Sequence, residues 1–141
     1  MEEKLVSRLV QVGVRTATAH QRDQIKRFNV ETVEMRNFRD DLTFSFDGPV
    51  YISFDVDGLD PSLVSATGTP EPGGLGWYET IGLIRTLARK RRVVGMDLTE
   101  YSYVEGQNAS AFLCAKLIYK TLGFVFKKET VKVRGKQDNA K

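Results

Sequence analysis

The chain has 141 residues, of which 41% are hydrophobic and 28% are charged, a composition that supports one globular domain with its own core. It excludes an intrinsically disordered segment, and the single cysteine, Cys114, excludes a disulfide framework or a cysteine-rich zinc module. No apolar run approaches the roughly 20 residues that cross a bilayer, and the charged N-terminus lacks the apolar stretch of a secretory signal. We therefore expect a soluble, cytoplasmic domain without a membrane partner.

The positive charge is concentrated at the C-terminus. Residues 127–141 contain six basic and two acidic side chains, so this segment carries +4 although the net charge of the whole chain is only +3. Aromatic side chains, which commonly accompany basic ones in nucleic-acid binding surfaces, are absent from this segment. We interpret residues 1–126 as a single domain and residues 127–141 as a solvated basic tail, the alternative being a binding arm, and we expect no nucleic-acid partner.

Apolar segments rich in β-branched residues alternate with segments of helical periodicity. The predicted strands are residues 9–14, 30–35, 50–54 and 92–98. The predicted helices are residues 17–28, 77–89 and 108–122, the last stopped by Gly123. The remaining segments are residues 36–43 (a turn or short helix), 58–75 (a long loop with three of the four prolines) and 124–126 (a strand start or a docked end). This alternation predicts an α/β fold with a mainly parallel sheet covered by helices.

Two aspartates follow the apolar strand at residues 50–54. Strand residues two positions apart share a face, so Asp55 and Asp57 are expected to project together at the carboxyl end of the strand, where open α/β sheets bind ligands. Two adjacent carboxylates repel each other unless a cation or a proton intervenes, and a hard divalent cation such as Mg²⁺ or Mn²⁺ is the simplest solution. The alternative is that the aspartates cap a turn or start a helix, and the spacing alone does not decide between the two.

The longer sequence context resembles the arginase/agmatinase (ureohydrolase) family. The residues that carry the resemblance are SFDVDGLDP at 53–61, ATGTPEPGGL at 66–75, GMDLTE at 95–100 and QVGVR at 11–15. The resemblance extends from about Val10 to Gly123. Glu71-Pro72 and the helical segment 115–119 are more similar to agmatinases and related guanidino-acid hydrolases than to arginases.

The resemblance implies the C-terminal half of a three-layer α/β/α fold and a binuclear Mn²⁺ site that hydrolyses a guanidino substrate, such as agmatine, to an amine and urea. By position, Asp55 corresponds to a carboxylate that bridges the two metals and Asp57 to a second metal ligand. Glu100 corresponds to the carboxylate that faces the substrate guanidinium, and Thr69 to a hydroxyl near that glutamate. No further catalytic residue is assigned.

The chain also departs from the family pattern. Complete members are much longer, and their N-terminal half supplies the remaining ligands from Gly-Gly-Asp-His and Asp-x-His-x-Asp motifs, neither of which occurs here. The only histidine, His20, matches no ligand position and is predicted to lie on the surface. We therefore expect an incomplete metal site and little or no activity from the isolated chain.

Three other polar side chains are interpreted as structural. Cys114 is predicted to be a small core residue within an apolar helix, Asp60 to fix a turn, and Asp97 to brace the long loop. None of the three is expected to react with substrate or to bind metal.

Two functions remain open. The chain is either the C-terminal portion of an agmatinase-like amidinohydrolase, completed by an N-terminal half, or a non-catalytic ureohydrolase domain used for oligomerisation or partner binding. Because half of a parallel sheet exposes an apolar edge and apolar faces, both predict a homo-oligomer or a complex rather than a free monomer.

Overall fold

The computed structural model describes residue 3 and residues 5–127. The elements in chain order are β1 (Val10–Val14), α1 (Ala19–Arg27), β2 (Glu31–Glu34), β3 (Val50–Asp55), α2 (Trp77–Lys90), β4 (Val93–Thr99) and α3 (Asn108–Phe126). Single 3-10 turns follow β2 and β3, at Met35–Asn37 and Val56–Gly58. The predicted basic tail lies outside the described residues except for Lys127, so the domain boundary at residue 126 stays a prediction.

The four strands form two parallel pairs. β1 pairs with β2, and β3 pairs with β4, which places Asp55 directly opposite Thr99. Each pair is connected through a helix, as parallel strands require, with α1 between β1 and β2 and α2 between β3 and β4. These two β-α-β units confirm the predicted α/β fold with parallel strands. The register also brings the carboxyl ends of β3 and β4 to the same edge.

The buried core lies beneath the segment that follows β3. One cluster within this core consists of five apolar residues that are each at most 5% exposed, namely Val56, Leu59, Val64, Leu75 and Cys114. Four of these five come from the turn and long loop between β3 and α2, so this loop is held in place by burial of its own side chains. The position of Cys114 confirms its prediction as a core residue, and burial raises the pKa of its thiol.

The helix α3 is longer than the sequence predicts. It continues through Gly123 to Phe126, so the predicted stop at Gly123 and the separate segment 124–126 are wrong. A glycine inside a helix costs only about 1 kcal/mol relative to alanine, and Phe124 and Val125 are half-buried, which offsets this cost. The Lys127 N–H closes the last turn by donating to the Gly123 carbonyl at 3.1 Å.

The apolar character of α3 is not matched by its burial. An 18-residue stretch of this 19-residue helix has a mean hydropathy of 1.4, and only 22% of that stretch is buried. By length and composition alone, α3 is long and apolar enough to span a membrane. The expectation that no segment approaches the length and hydropathy of a membrane span is therefore wrong. Core helices of soluble proteins meet the same two criteria. Its buried face, including Cys114, Leu117 and Thr121, points to the core, and α3 also packs against α2.

Candidate metal and substrate site

Asp55 is the last residue of β3 and also caps the turn that follows. Its Oδ1 accepts a hydrogen bond from the Asp57 N–H at 2.8 Å. The strand therefore ends at Asp55, and the prediction that Asp55 and Asp57 share one face of a strand is wrong, because Asp57 lies in the 3-10 turn. The alternative prediction, that an aspartate here caps a turn, is confirmed for Asp55, which uses one of its two carboxylate oxygens for this hydrogen bond. Desolvation raises the pKa of Asp55 above its ordinary value, and the negative charge of Asp57 raises it further. The hydrogen bond from the Asp57 N–H acts in the opposite direction but does not cancel this increase.

Asp57 is half-buried and held by two threonine hydroxyls. Thr67 donates to its Oδ1, and Thr69 donates to its Oδ2. Burial acts to raise the pKa of Asp57, but these hydrogen bonds stabilise the charged form and bring the pKa below its ordinary value. Asp57 is thus an ionised carboxylate with a fixed orientation near neutral pH.

Glu100 directly follows β4, beside the carboxyl end of β3. Its backbone has φ = +64°, a left-handed conformation that is uncommon for a residue with a side chain. Its side chain is exposed, and its carbonyl oxygen lies 3.0 Å from the Thr67 hydroxyl. The structure thus brings Asp55, Asp57 and Glu100 to one edge of the β3–β4 pair. Non-glycine residues in such conformations concentrate at functional sites.

The two threonines of the loop both contact the acidic residues. Thr69 donates to Asp57, and the Thr67 hydroxyl lies 3.0 Å from the backbone carbonyl oxygen of Glu100. The expected position of the Thr69 hydroxyl near the Glu100 side chain stays a prediction. Thr67 was not among the predicted site residues. A signal was available, because Thr67 and Thr69 are two hydroxyl residues separated only by Gly68 in the long loop.

Arg15, at the end of β1, connects three segments around the site and was also missed. Its guanidinium donates to the backbone carbonyls of Gly13, Asp57 and Glu71, the first at 2.9 Å and the last at 3.0 Å. The adjacent Thr16 hydroxyl donates to the Glu71 carboxylate. Arg15 therefore holds the long loop against the turn that carries Asp57, and its positive charge acts to lower the pKa of both Asp55 and Asp57.

Asp60 fixes the start of the long loop, as predicted. Its carboxylate accepts hydrogen bonds from the Ser62 hydroxyl (2.6 Å) and from the backbone N–H groups of Ser62 (3.0 Å), Gly73 (2.9 Å) and Gly74 (3.3 Å). The hydrogen bonds from Ser62, followed by those from the glycines, lower the pKa of Asp60 to about 2. Asp60 thereby ties the two ends of the loop together.

Two further predictions concern residues at the border of the site. Asp97 accepts a hydrogen bond from the Ser53 hydroxyl at 2.9 Å and another from Tyr51, so it braces β3 against β4 and not, as predicted, the loop. The hydrogen bond to Asp97 raises the pKa of Tyr51. His20 is exposed on α1, which confirms its prediction as a surface residue.

The donor set fits only part of a metal site. Carboxylate oxygens such as those of Asp55 and Asp57 suit Mn²⁺ or Mg²⁺. Among residue 3 and residues 5–127, however, no group of three or more His, Cys, Asp or Glu side chains is placed to hold a metal ion. A cleft of about 400 Å³ opens beside Arg15, Pro72 and Gly73, but Asp55, Asp57 and Glu100 do not line it. The described residues therefore contain two carboxylates suited to a hard cation, but not a complete set of metal ligands.

Comparisons with known proteins are consistent across sequence and structure. The family model described as the Arginase family matches residues 1–123. The N(1)-aminopropylagmatine ureohydrolase of Synechocystis sp. is 34% identical over 120 residues, which are 80% of this chain and 39% of that protein. The agmatinase of Pyrococcus horikoshii is 37% identical over 115 residues, which are 79% of this chain and 41% of that protein.

The fold comparison agrees. The arginase structure from Medicago truncatula superposes with a TM-score of 0.74 at 31% identity, covering 88% of this chain and 41% of that one. The chain thus spans about two fifths of the length of the relatives that it matches.

Proposed function

This chain belongs to the arginase family, and from that premise we propose that it is the C-terminal portion of an agmatinase-like amidinohydrolase. Such an enzyme hydrolyses a small guanidino compound, such as agmatine, to an amine and urea. One observation carries the proposal: Asp55, Asp57 and Glu100 all lie at or just after the carboxyl ends of β3 and β4, at one edge of this parallel pair. In open α/β sheets this edge is where ligands bind.

Each acidic side chain has a role under this proposal. Asp55 and Asp57 hold manganese, and Glu100 pairs with the positively charged guanidinium of the substrate. When bound, manganese supplies a nucleophile near neutral pH by lowering the pKa of water. The hydroxyls of Thr67 and Thr69 keep Asp57 ionised and oriented, so that its charge is available without rearrangement.

The remaining ligands have to come from another polypeptide segment. Two carboxylates hold Mn²⁺ weakly, and the chain spans about two fifths of its relatives' length. We propose that a segment equivalent to the N-terminal half of complete family members, which the family resemblance implies as the source of the other ligands, completes the site. Without it, the isolated chain releases little or no urea.

Co-expression tests this function. Urea release from agmatine with added Mn²⁺ is measured for the chain alone, for the chain co-expressed with the N-terminal part of the Pyrococcus horikoshii agmatinase, and for the same complex carrying Asp57→Asn. We expect chelator-sensitive urea release from the unsubstituted complex only. Urea release by the chain alone would contradict the need for a second segment. A complex that forms but binds no Mn²⁺ would contradict the enzymatic function.

A second candidate function is a non-catalytic association module. The observation that favours it is the exposed apolar surface of α3, where Phe112 and Tyr119 are each 71% exposed and Phe126 is 76% exposed. Apolar side chains concentrated in this way are typical of interaction surfaces. In this case the chain self-associates through α3 whether or not metal is present.

A further inference from the structure

We propose that Thr67 is a positioning residue that fixes the Asp57 carboxylate and the Glu100 backbone together. The roles of Asp57 and Glu100 rest on the proposed function, but the coupling between them rests on contacts within this chain. Thr67 lies in the long loop, between the turn that carries Asp57 and the residue that ends β4. It is the described residue whose hydroxyl contacts both sides of the candidate site.

The hydroxyl of Thr67 serves two acceptors. It donates to Asp57 Oδ1, and the same oxygen lies 3.0 Å from the carbonyl oxygen of Glu100. Because a threonine hydroxyl carries one hydrogen, the carboxylate oxygen and the carbonyl oxygen share that hydrogen in a three-centre hydrogen bond. The positions of Asp57 and Glu100 are therefore linked through one proton.

The backbone around Thr67 is itself anchored. Thr67 forms an antiparallel bridge with Tyr101, and the Ser102 N–H donates to the Ala66 carbonyl at 2.9 Å. Ala66 is 1% exposed. These contacts join the backbone around Thr67 to the two residues that directly follow Glu100, so the Thr67 hydroxyl is held beside the Glu100 carbonyl and the Asp57 carboxylate is positioned relative to it.

The left-handed conformation of Glu100 depends on contacts such as the one with the Thr67 hydroxyl. A φ of +64° is strained for a residue with a Cβ atom and persists only when its surroundings compensate. The Thr67 hydroxyl contacts the carbonyl of this same residue. Removing the hydroxyl removes a contact that holds the left-handed conformation, and the Glu100 side chain then changes direction.

Thr69 provides a matched comparison. Its hydroxyl donates to the other carboxylate oxygen of Asp57, and its hydrogen bonds do not include Glu100 among the described contacts. Thr67→Val and Thr69→Val therefore each remove one hydrogen bond to the same carboxylate with the same change of side chain. They differ in whether the contact with Glu100 is also lost.

The test is NMR spectroscopy of the isotope-labelled chain, without metal or substrate. The ¹³Cα shift and the one-bond Cα–Hα coupling of Glu100 report the sign of φ, and the ¹³C shift of the Asp57 carboxyl reports its hydrogen bonds. In Thr67→Val we expect the left-handed signature of Glu100 to be lost and the Asp57 carboxyl signal to move. Thr67→Ser should restore both, and Thr69→Val should move only the Asp57 signal.

Several outcomes would overturn the proposal. An unchanged Glu100 in Thr67→Val would do so, as would an equal change of Glu100 in Thr69→Val. If Thr67→Val does not fold, Thr67→Ala is used with the same criteria, and a Thr67→Ser variant that lacks the left-handed signature counts against the proposal. Since the readout needs no activity, failure of the coupling is distinguishable from failure of the amidinohydrolase function, which is tested by urea release.

Discussion

Asp55 and Asp57 lie two positions apart but have opposite electrostatic environments. Desolvation dominates at Asp55 and raises its pKa, whereas at Asp57 two hydroxyl hydrogen bonds outweigh desolvation and lower the pKa. As the pH rises, Asp57 therefore ionises first. Of the two proposed metal ligands, Asp57 is the one whose charged form is favoured and whose carboxylate is oriented by hydrogen bonds, whereas burial disfavours the charged form of Asp55.

At the same scale, Asp60 is expected to make stability depend on pH under acidic conditions. Its pKa is about 2 in the folded chain against 3.8 for an ordinary aspartate, so its stabilising effect is fully present above 3.8 and is lost as the pH falls toward 2. We predict that Asp60→Asn lowers the melting temperature at neutral pH. The difference in melting temperature between this variant and the unsubstituted chain should become smaller as the pH falls from 3.8 to about 2. Thermal unfolding followed by circular dichroism across pH measures this, and a difference independent of pH would contradict it.

Gly74 is a position where the backbone of the loop leaves no room for a side chain. A Cβ atom there would lie 2.4 Å from both the carbonyl carbon and the carbonyl oxygen of Leu59, and neither backbone atom can move independently. We predict that Gly74→Ala lowers the free energy of unfolding by about 1–3 kcal/mol. Chemical denaturation measures the change. The control is Gly82→Ala within α2, where a Cβ atom meets no other group within 4 Å and stability should rise. Equal effects of the two substitutions would contradict this explanation.

At the level of elements, α3 and the long loop differ in how much of their apolar surface is buried. The loop provides most of the buried apolar residues, whereas α3 buries one face and exposes Phe112, Ile118, Tyr119, Leu122 and Phe126 on the others. An exposed apolar surface of this kind is stabilised by association. Whether a second copy or another polypeptide covers it, α3 is where contact is expected.

We predict that the chain self-associates in the absence of a partner and that Phe112→Glu combined with Tyr119→Glu shifts it to monomer. The reason is that both side chains are 71% exposed and that burying two carboxylates in an interface is costly. Sedimentation velocity at low micromolar concentration measures the change. Tyr78→Glu, at an 86% exposed tyrosine on α2, is the control and should leave the association unchanged. A monomeric unsubstituted chain would contradict the prediction.

At the level of the whole molecule, the incomplete donor set determines how the chain responds to metal. Two carboxylates without further ligands among the described residues give weak binding, and a weakly bound ion adds little to folding stability. The proposed completing segment would account for the incomplete ligand set, and the proposed association would account for the exposed apolar surface of α3.

We predict that adding EDTA leaves the melting temperature of the isolated chain unchanged. In contrast, EDTA should lower the melting temperature of a Mn²⁺-loaded complex with a completing segment, because chelation removes ions that bind only the folded state. Differential scanning calorimetry with and without chelator provides the measurement, with Asp55→Asn in the complex as the control that abolishes the difference. A large destabilisation of the isolated chain by EDTA would show that it holds metal tightly by itself.

The strands were more predictable than the ends of the helices. The predicted strand at residues 92–98 matches β4 to within one residue at each end, because an apolar segment that begins with two β-branched residues is a strong signal for a strand. The predicted helix start at residue 17 was early, since Thr18 caps α1 through a hydrogen bond with the Gln21 N–H. The sequence predicts that the last helix ends at Gly123, but α3 continues to Phe126. Packing of the residues after Gly123 outweighs the intrinsic cost of a glycine within a helix.

The amino-acid sequence by itself determined the family, the α/β class and the identity of the acidic residues at the strand ends, because these depend on local patterns and on a long motif. Only the tertiary structure decided which groups hold those acids. Thr67 and Arg15 reach Asp57 from segments distant in the chain, and the turn after Asp55 replaces the strand that simple alternation predicts. Hydrogen bonds between segments far apart in sequence leave no periodic signal, so their partners become identifiable only when the chain is folded.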